Sequence, residues 1–196
     1  MSLDAVDLEV LRLVEAACRT VGVPWMLVGA LARDVHLVEM AGVPSGRATI
    51  DVDVAVAVES WSAFNELKNL LINSGNFAAD RNAHRVLGIA DELVGRQLDI
   101  MPFGRGIEGP RAVIRWPSDI TTVMSVAGFG EVLASSIEHR VGDQRMTRLG
   151  PWIGHPQTRC MERSGHHDRQ RCRRLLSTAH HIRARRRSRR SVRRAP

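Results

Sequence analysis

The sequence lacks most of the features that set special classes of protein apart. It has only three cysteines in 196 residues, with no Cys-x-x-Cys pair, so no disulfide framework is indicated. No apolar run approaches the ~18 residues of a membrane-spanning helix, and the acidic N-terminal segment does not have the pattern of a signal peptide. No internal repeat is visible. We therefore expect a globular protein of the reducing cytoplasm, large enough for one domain with a sizeable core and not associated with a membrane.

Positive charge is scarce in the first part of the chain and concentrated at its end. Residues 1–140 hold 12 Lys and Arg against 18 Asp and Glu, a net charge of −6. Residues 141–196 hold 16 Arg, no Lys and three acids, a net charge of +13, so the formal total of +7 averages two unlike parts. This shift predicts a domain over residues 1–143 followed by a tail over 144–196. The tail has little hydrophobic periodicity, so we expect it to be disordered.

The basic tail (residues 144–196) permits two further interpretations. Its arginine run, from about 183 to 194, could bind RNA or DNA electrostatically with strong salt dependence. However, almost no aromatic residues alternate with the arginines, so base stacking is not indicated. Histidines and cysteines of the tail could suggest zinc, but their spacing matches no finger pattern. A non-catalytic nucleic-acid-binding role for the tail remains an alternative to any enzymatic function.

Residues 1–143 alternate between helical and strand-like patterns. A 3.6-residue period predicts a helix over residues 3–20, and a short apolar run predicts a buried strand over 25–29. A helix-compatible stretch follows over 30–40, and Ser60 predicts the N-cap of a helix that ends near residue 72. Further strands are predicted over 48–58, 84–89, 97–101 and 113–116, the third of them ending before Pro102. The pattern indicates a domain of mixed α and β structure.

Two carboxylates, Asp51 and Asp53, lie two positions apart within the predicted strand 48–58. Residues i and i+2 of a strand point to the same face, so the two side chains should lie side by side. Like charges this close repel, and partial burial among valines raises the cost. A folded protein tolerates such a pair when a cation, usually Mg²⁺, lies between the carboxylates. The simpler alternative is a solvated acidic pair on the surface of the strand.

A third acid, Asp99, lies in the later predicted strand 97–101. Three carboxylates brought together can hold two Mg²⁺ ions about 3.5–4 Å apart, the arrangement used for in-line nucleotidyl displacement. In this interpretation Asp51 and Asp53 hold the metal that binds a triphosphate. Asp99 would join them in holding a second ion and could accept the proton of an attacking hydroxyl. Alternatively, Asp99 caps a turn before Pro102.

Four further residues are candidates for binding phosphate. Gly29 and Ala30 join the predicted strand 25–29 to a helix, where backbone N–H groups can hold an anion and glycine permits close approach. Arg33 and Arg47 could neutralise phosphate charge. Arg33 could instead pair with the adjacent Asp34, and Arg47 with an acid of the acidic strand.

Together, the glycine turn, the Asp-x-Asp strand and the later acid resemble the nucleotidyltransferase superfold, the polymerase-β-like core. Within that superfold the sequence is most similar to the AbiEii family of abortive-infection toxins, over about residues 5–140. The segments that carry the resemblance are residues 27–34, 47–53, 85–86, 98–104, 114–117 and 123–131. The resemblance implies an α/β (α+β) fold with a mixed sheet flanked by helices. It also implies a metal-dependent nucleotidyltransferase that moves a nucleoside monophosphate from an NTP to a hydroxyl acceptor, often the 3′ end of tRNA.

The same resemblance implies a toxin of a toxin–antitoxin or phage-defence system, with an antitoxin as partner. Two features depart from the family pattern. Ala30 stands where many nucleotidyltransferases have Ser or a second Gly, which removes one phosphate hydrogen bond. After about residue 143 the Lys-containing helical segment of the family is replaced by Arg-rich sequence. We interpret this part as out-of-frame or degenerate, which would leave the chain inactive.

Overall fold

The computed structural model describes residues 4–40, 42, 50–141 and 144–149 of the chain, and these belong to one compact unit. The helices are α1 (Ala5–Val21), α2 (Gly29–Val35), α3 (Trp61–Asn73) and α4 (Phe129–Ser135), and a π-helical turn, His36–Met40, continues α2. The strands are β1 (Trp25–Val28), β2 (Asp51–Ala57), β3 (Phe77–Ala79), β4 (Arg85–Gly88), β5 (Gln97–Phe103), β6 (Val113–Trp116), β7 (Asp119–Ser125), β8 (Ile137–Val141) and β9 (Gln144–Leu149).

Seven of these strands form one mixed sheet in the order β3-β4-β5-β2-β1-β9-β8. The pairs β2–β5 and β1–β9 are parallel, and the other neighbours are antiparallel. β6 and β7 form a separate antiparallel hairpin. α1 packs against α3 and β9, whereas α2 packs against β1 and β2. The prediction of a mixed sheet flanked by helices is therefore confirmed.

Helix boundaries follow local capping chemistry. The Asp4 side chain accepts a hydrogen bond from the Val6 N–H at 3.2 Å, so α1 begins two residues later than its periodicity alone predicts. α1 ends at Gly22, whose φ of +76° is readily adopted only by glycine. Ser60 caps α3 as predicted, because its Oγ accepts from the Ala63 N–H at 3.2 Å. No helix in the described ranges is long and apolar enough to cross a membrane.

β5 extends past the point where Pro102 was expected to end it. On this strand the Ile100 N–H donates to His84, so alternate backbone nitrogens of β5 face β4. β4 begins at Arg85, which lies opposite Asp99. The nitrogen of Pro102 therefore faces a position beyond the start of β4. No ladder hydrogen bond is lost there, and the strand continues to Phe103.

An aromatic cluster joins α3 to the β6–β7 hairpin. The Trp116 ring lies 5.1 Å from Trp61 and 5.4 Å from Phe64, measured between centroids. Trp116 and Phe64 are each only 2% exposed. Rings at these distances and tilts add favourable edge interactions to a large apolar burial. The cluster therefore fixes the hairpin on the body of the domain.

Residues 144–149 differ from our expectation for the tail, because they form β9. Leu149 is fully buried, and it lies opposite Leu27 of β1 in a parallel pair. β1 has an unpaired edge on the side away from β2, and β9 supplies the backbone partners that this edge needs. Residues 150–196 lie outside the described part of the chain, so the disordered tail and the degenerate C-terminus both stay predictions.

Candidate active site

Buried valines and half-buried carboxylates alternate along β2. Val52, Val54 and Val56 are 0% exposed and belong to the core. Asp51 and Asp53 occupy the alternate positions and are partly exposed. Because strand residues alternate between faces, the two carboxylates share the face opposite the valines. The predicted side-by-side arrangement of the pair is thus present.

The strand register adds the third carboxylate to this face. β2 and β5 are parallel neighbours, and Asp53 lies directly opposite Asp99. Residues opposite each other on adjacent strands point to the same side of the sheet. Asp51, Asp53 and Asp99 therefore lie together, as the sequence indicated, and Asp99 belongs to a strand rather than to a turn. Their catalytic and metal-binding roles stay predictions.

Gly29 fits against Asp53 so closely that no other residue can replace it without movement. Val28, the last residue of β1, lies opposite Asp53, and Gly29 follows with a φ of +68°. A Cβ atom on Gly29 would lie 2.0 Å from Oδ2 of Asp53. The backbone N–H of Ala30 donates to the Asp53 carboxylate. The glycine turn therefore orients Asp53. This role differs from the phosphate binding that we predicted for Gly29 and Ala30.

Asp53 is the carboxylate whose electrostatic environment is most clearly perturbed. Burial is the main cause that raises its pKa from 3.8 to about 6, and the charges of Asp99 and Asp51 add to the effect. Arg85 and the Ala30 N–H oppose that rise without cancelling it. Three carboxylates on this face outnumber the single guanidinium of Arg85, so negative charge predominates around Asp53. The site would accept a cation, and oxygen ligands of this kind suit Mg²⁺.

One positive side chain, Arg85, already lies on this face, and we did not predict it as a site residue. It is opposite Asp99 in the antiparallel β4–β5 pair. Its Nε donates to Oδ1 of Asp99 at 2.6 Å and its Nη2 to Oδ2 at 2.8 Å. The bond to Asp99 raises the pKa of Arg85 above its usual value. The sequence signal was an arginine and an aspartate in neighbouring strand patterns, but only the register shows that they meet.

The Arg85–Asp99 pair affects what the site can bind. Within the described residues there is no group of three or more His, Cys, Asp or Glu side chains arranged to hold a metal ion. Asp51 and Asp53 share a face with Asp99, but both oxygens of Asp99 accept hydrogen bonds from Arg85. A metal ion held by all three carboxylates would therefore have to share the oxygens of Asp99 with Arg85.

The structure describes one of the two arginines that we predicted to bind phosphate. Arg33 is exposed, and its Nε donates to Oδ1 of Asp34 at 2.9 Å, so the alternative pairing that we considered is present. Asp34 itself is buried, so this pair lies at the edge of the packed face of α2. Arg47 lies outside the described residues. Phosphate binding by Gly29, Ala30, Arg33 and Arg47 stays a prediction.

Two surface depressions are present away from the three carboxylates. One, of about 400 Å³, lies along α3 and includes Ser62 and Asn73. The other, of about 320 Å³, lies beside the aromatic cluster and includes Trp61, Lys68 and Arg81. Neither is lined by the acidic residues of β2 and β5. The candidate site is therefore identified by its chemistry rather than by the shape of the surface.

Comparison with known proteins gives only a distant similarity. No protein-family model matches the sequence, and no curated protein matches it. Two solved structures of ANT(2'')-Ia, an aminoglycoside nucleotidyltransferase, are similar in fold. The solution structure of this antibiotic-resistance factor has 14% identity and a TM-score of 0.38, covering 60% of this chain and 61% of that one. The crystal structure in complex with adenylyl-2''-tobramycin has 16% identity and a TM-score of 0.44, covering 88% of each chain. At these values we base no functional conclusion on them.

Proposed function

We propose that the chain is a metal-dependent nucleotidyltransferase whose reaction centre is formed by Asp51, Asp53 and Asp99. The observation that carries the proposal is the register of β2 and β5, which aligns Asp53 with Asp99 while Asp51 shares their face. The raised pKa of Asp53, caused first by burial and then by its two acidic neighbours, supports a cation as the natural occupant. When bound, Mg²⁺ would neutralise triphosphate charge and polarise the α-phosphoryl group.

In this proposal, different residues would hold the metal ion and accept the proton. Asp51 and Asp53 would hold the metal, and Gly29 with the Ala30 N–H would keep Asp53 in position. Asp99 would accept the proton from the acceptor hydroxyl. The acceptor oxygen would then bond to the α-phosphorus of the NTP while the α–β phosphoanhydride bond breaks. Pyrophosphate is the leaving group, so atoms and charge balance.

The finer assignment that we propose is an AbiEii-type toxin that modifies tRNA and is held in check by an antitoxin. It is supported by the six sequence segments that resemble that family, three of which include residues of β1, α2, β2 or β5. If residues beyond about 143 are degenerate, the carboxylates would persist in a chain that has lost activity. Sequencing the locus for a frame that encodes a Lys-containing helical segment tests this point.

Label transfer is the direct test of the proposed function. Each α-³²P-labelled NTP is incubated with Mg²⁺ and either total tRNA or tobramycin as acceptor. Wild type is compared with Asp51→Ala, and with Asp91→Ala as a matched control, because Asp91 is an exposed acid in the β4–β5 turn. We expect metal-dependent transfer by wild type and the control but not by Asp51→Ala. No transfer by wild type to any acceptor would contradict an active enzyme.

The alternative, nucleic-acid binding by the basic tail, depends on residues outside the described part of the chain. Its test is removal of residues 150–196, which leaves β9 in the sheet. Loss of RNA binding in that variant, together with steep salt dependence in wild type, would favour the alternative. RNA binding that survives the removal would exclude it.

A further inference from the structure

The depression of about 320 Å³ beside the aromatic cluster has an aromatic surface that is held rigidly in place. Trp61 and Trp116 both line it, and their ring centroids lie 5.1 Å apart. Trp116 is buried, and its indole N–H donates to Sδ of Met124 at 3.1 Å. Phe64 packs edge-on against Trp61, with 5.9 Å between the ring centroids. Trp61 is partly exposed, so it offers an accessible indole surface that two neighbouring rings keep in position.

A partly buried ammonium group lies in the same depression. Lys68 projects from α3, and its Nζ donates to the backbone carbonyl of Ala83 at 2.7 Å. An ammonium group can donate more than one hydrogen bond, so Nζ can bind a further acceptor. Burial lowers the pKa of Lys68, and the negative charge of Asp80 opposes that effect. An anion in the depression would therefore stabilise the charged form of Lys68.

The segment between β3 and β4 adds a second cation and one acid. Arg81 is exposed, and no hydrogen bond or ion pair involves its side chain within the described part of the chain. Asp80 is the acid, and its Oδ1 accepts from the Asn82 N–H at 2.7 Å, so this oxygen is engaged by the local backbone. Two cations and one acid line the depression, which leaves it with a positive balance of charge.

We propose that this depression binds a single nucleotide, whose base stacks on Trp61 and whose phosphate is held by Arg81 and Lys68. Every nucleic-acid base has a face that can stack on an aromatic side chain. Phosphate oxygens accept bidentate hydrogen bonds from a guanidinium and single ones from an ammonium. The volume lies at the lower end of the range for small-molecule sites, which suits one nucleotide. The nucleotide is either a free nucleoside monophosphate or one unit of a single-stranded nucleic acid, because both present a base and a phosphate.

The test follows the indole N–H signal of Trp61 by ¹H–¹⁵N NMR of the full chain. The chain has four tryptophans, and Trp61→Phe identifies the signal by removing it. AMP, adenosine, inorganic phosphate and a short oligoadenylate are titrated separately. EDTA is present throughout, so metal-dependent binding at the carboxylates does not contribute. The signal reports on the surroundings of Trp61, so it separates this site from nucleic acid that binds elsewhere on the chain.

We expect AMP to shift the Trp61 signal until the site is saturated. Adenosine should bind at least ~5-fold more weakly because it lacks the charged phosphate, and inorganic phosphate at least ~5-fold more weakly because it lacks the stacking base. Arg81→Gln should weaken AMP binding by at least ~5-fold. Arg115→Gln, at an exposed arginine of β6, removes the same charge outside the depression and should leave the affinity unchanged. The spectrum of each variant verifies that it folds.

The oligoadenylate distinguishes the two sources of the nucleotide. Tighter binding of the oligoadenylate than of AMP at the Trp61 signal identifies a unit of a strand, and equal or weaker binding identifies a free nucleotide. A Trp61 signal that neither ligand shifts overturns the proposal, and so does equal AMP affinity of wild type and Arg81→Gln. These outcomes do not affect the proposed nucleotidyltransferase function, because none of its three carboxylates lines the depression.

Discussion

Without bound metal, wild type should be less stable at neutral pH than a variant with an uncharged side chain in place of Asp53. Burial, with the charges of Asp99 and Asp51, raises the pKa of Asp53 from 3.8 to about 6. The folded state therefore binds a proton more tightly than the unfolded state, so stability falls as the pH rises through this range. At pH 8 the difference corresponds to at most ~3 kcal/mol, since one pKa unit equals about 1.36 kcal/mol. At pH 4 the same two pKa values correspond to a loss of stability of only ~0.5 kcal/mol.

The substitution Asp53→Asn isolates this effect. The amide oxygen can still accept from the Ala30 N–H, but the charge near Asp51 and Asp99 is removed. In urea unfolding with EDTA, we expect Asp53→Asn to be more stable than wild type by up to ~3 kcal/mol at pH 8, and by much less at pH 4. Asp91→Asn, at an exposed site, should change stability by no more than about 0.5 kcal/mol.

Divalent metal should remove most of this difference in stability. Mg²⁺ at 100 times its dissociation constant should stabilise wild type by about 2.7 kcal/mol and have much less effect on Asp53→Asn. If Asp53→Asn is no more stable than wild type at pH 8 in EDTA, the buried charge of Asp53 does not destabilise the fold. The same conclusion follows if the difference in stability between the two proteins does not shrink toward pH 4.

Three other predictions follow from the packing and the charges. Gly29→Ala should weaken Mn²⁺ binding at least ~10-fold, because its Cβ would lie 2.0 Å from Asp53; Gly22→Ala, also at positive φ but with no atom within 4 Å, should leave the affinity unchanged. Mn²⁺ affinity of wild type should fall about tenfold per pH unit below pH 6, as protons compete for Asp53, and a flat profile between pH 5 and 8 in calorimetry would contradict this. Trp116→Ala should lower the free energy of unfolding by about 3–5 kcal/mol, whereas Arg115→Ala, at an exposed position of the same strand, should change it by no more than about 0.5 kcal/mol.

Because strand residues alternate between two faces, the sequence was sufficient to place Asp51 and Asp53 on the same face. The period of two along β2 separates Asp51 and Asp53 from the buried Val52 and Val54 without any tertiary information. Asp99 could be predicted as a strand residue for the same reason. Its register opposite Asp53 depends on which strands are neighbours, and local patterns do not determine strand order.

Other features required the tertiary structure. Arg85 contacts Asp99 because β4 and β5 pair antiparallel in this register, so the ion pair could not be predicted from the sequence. The strand residues 144–149 have weak propensity of their own and are ordered by the edge of β1. The role of Gly29 as the close neighbour of Asp53 likewise depends on the β1–β2 register.

Above all, we propose that Asp51 and Asp53 form a metal site for an NTP. Calorimetric titration with a non-hydrolysable NTP, with Mg²⁺ or with EDTA, tests it most directly on wild type, Asp51→Asn and Asp53→Asn. We predict binding to wild type that requires Mg²⁺ and that weakens at least ~10-fold in either variant, the range seen when groups that support a metal site are removed. NTP binding that is unchanged by EDTA and by both substitutions would show that Asp51 and Asp53 do not hold a metal for the nucleotide.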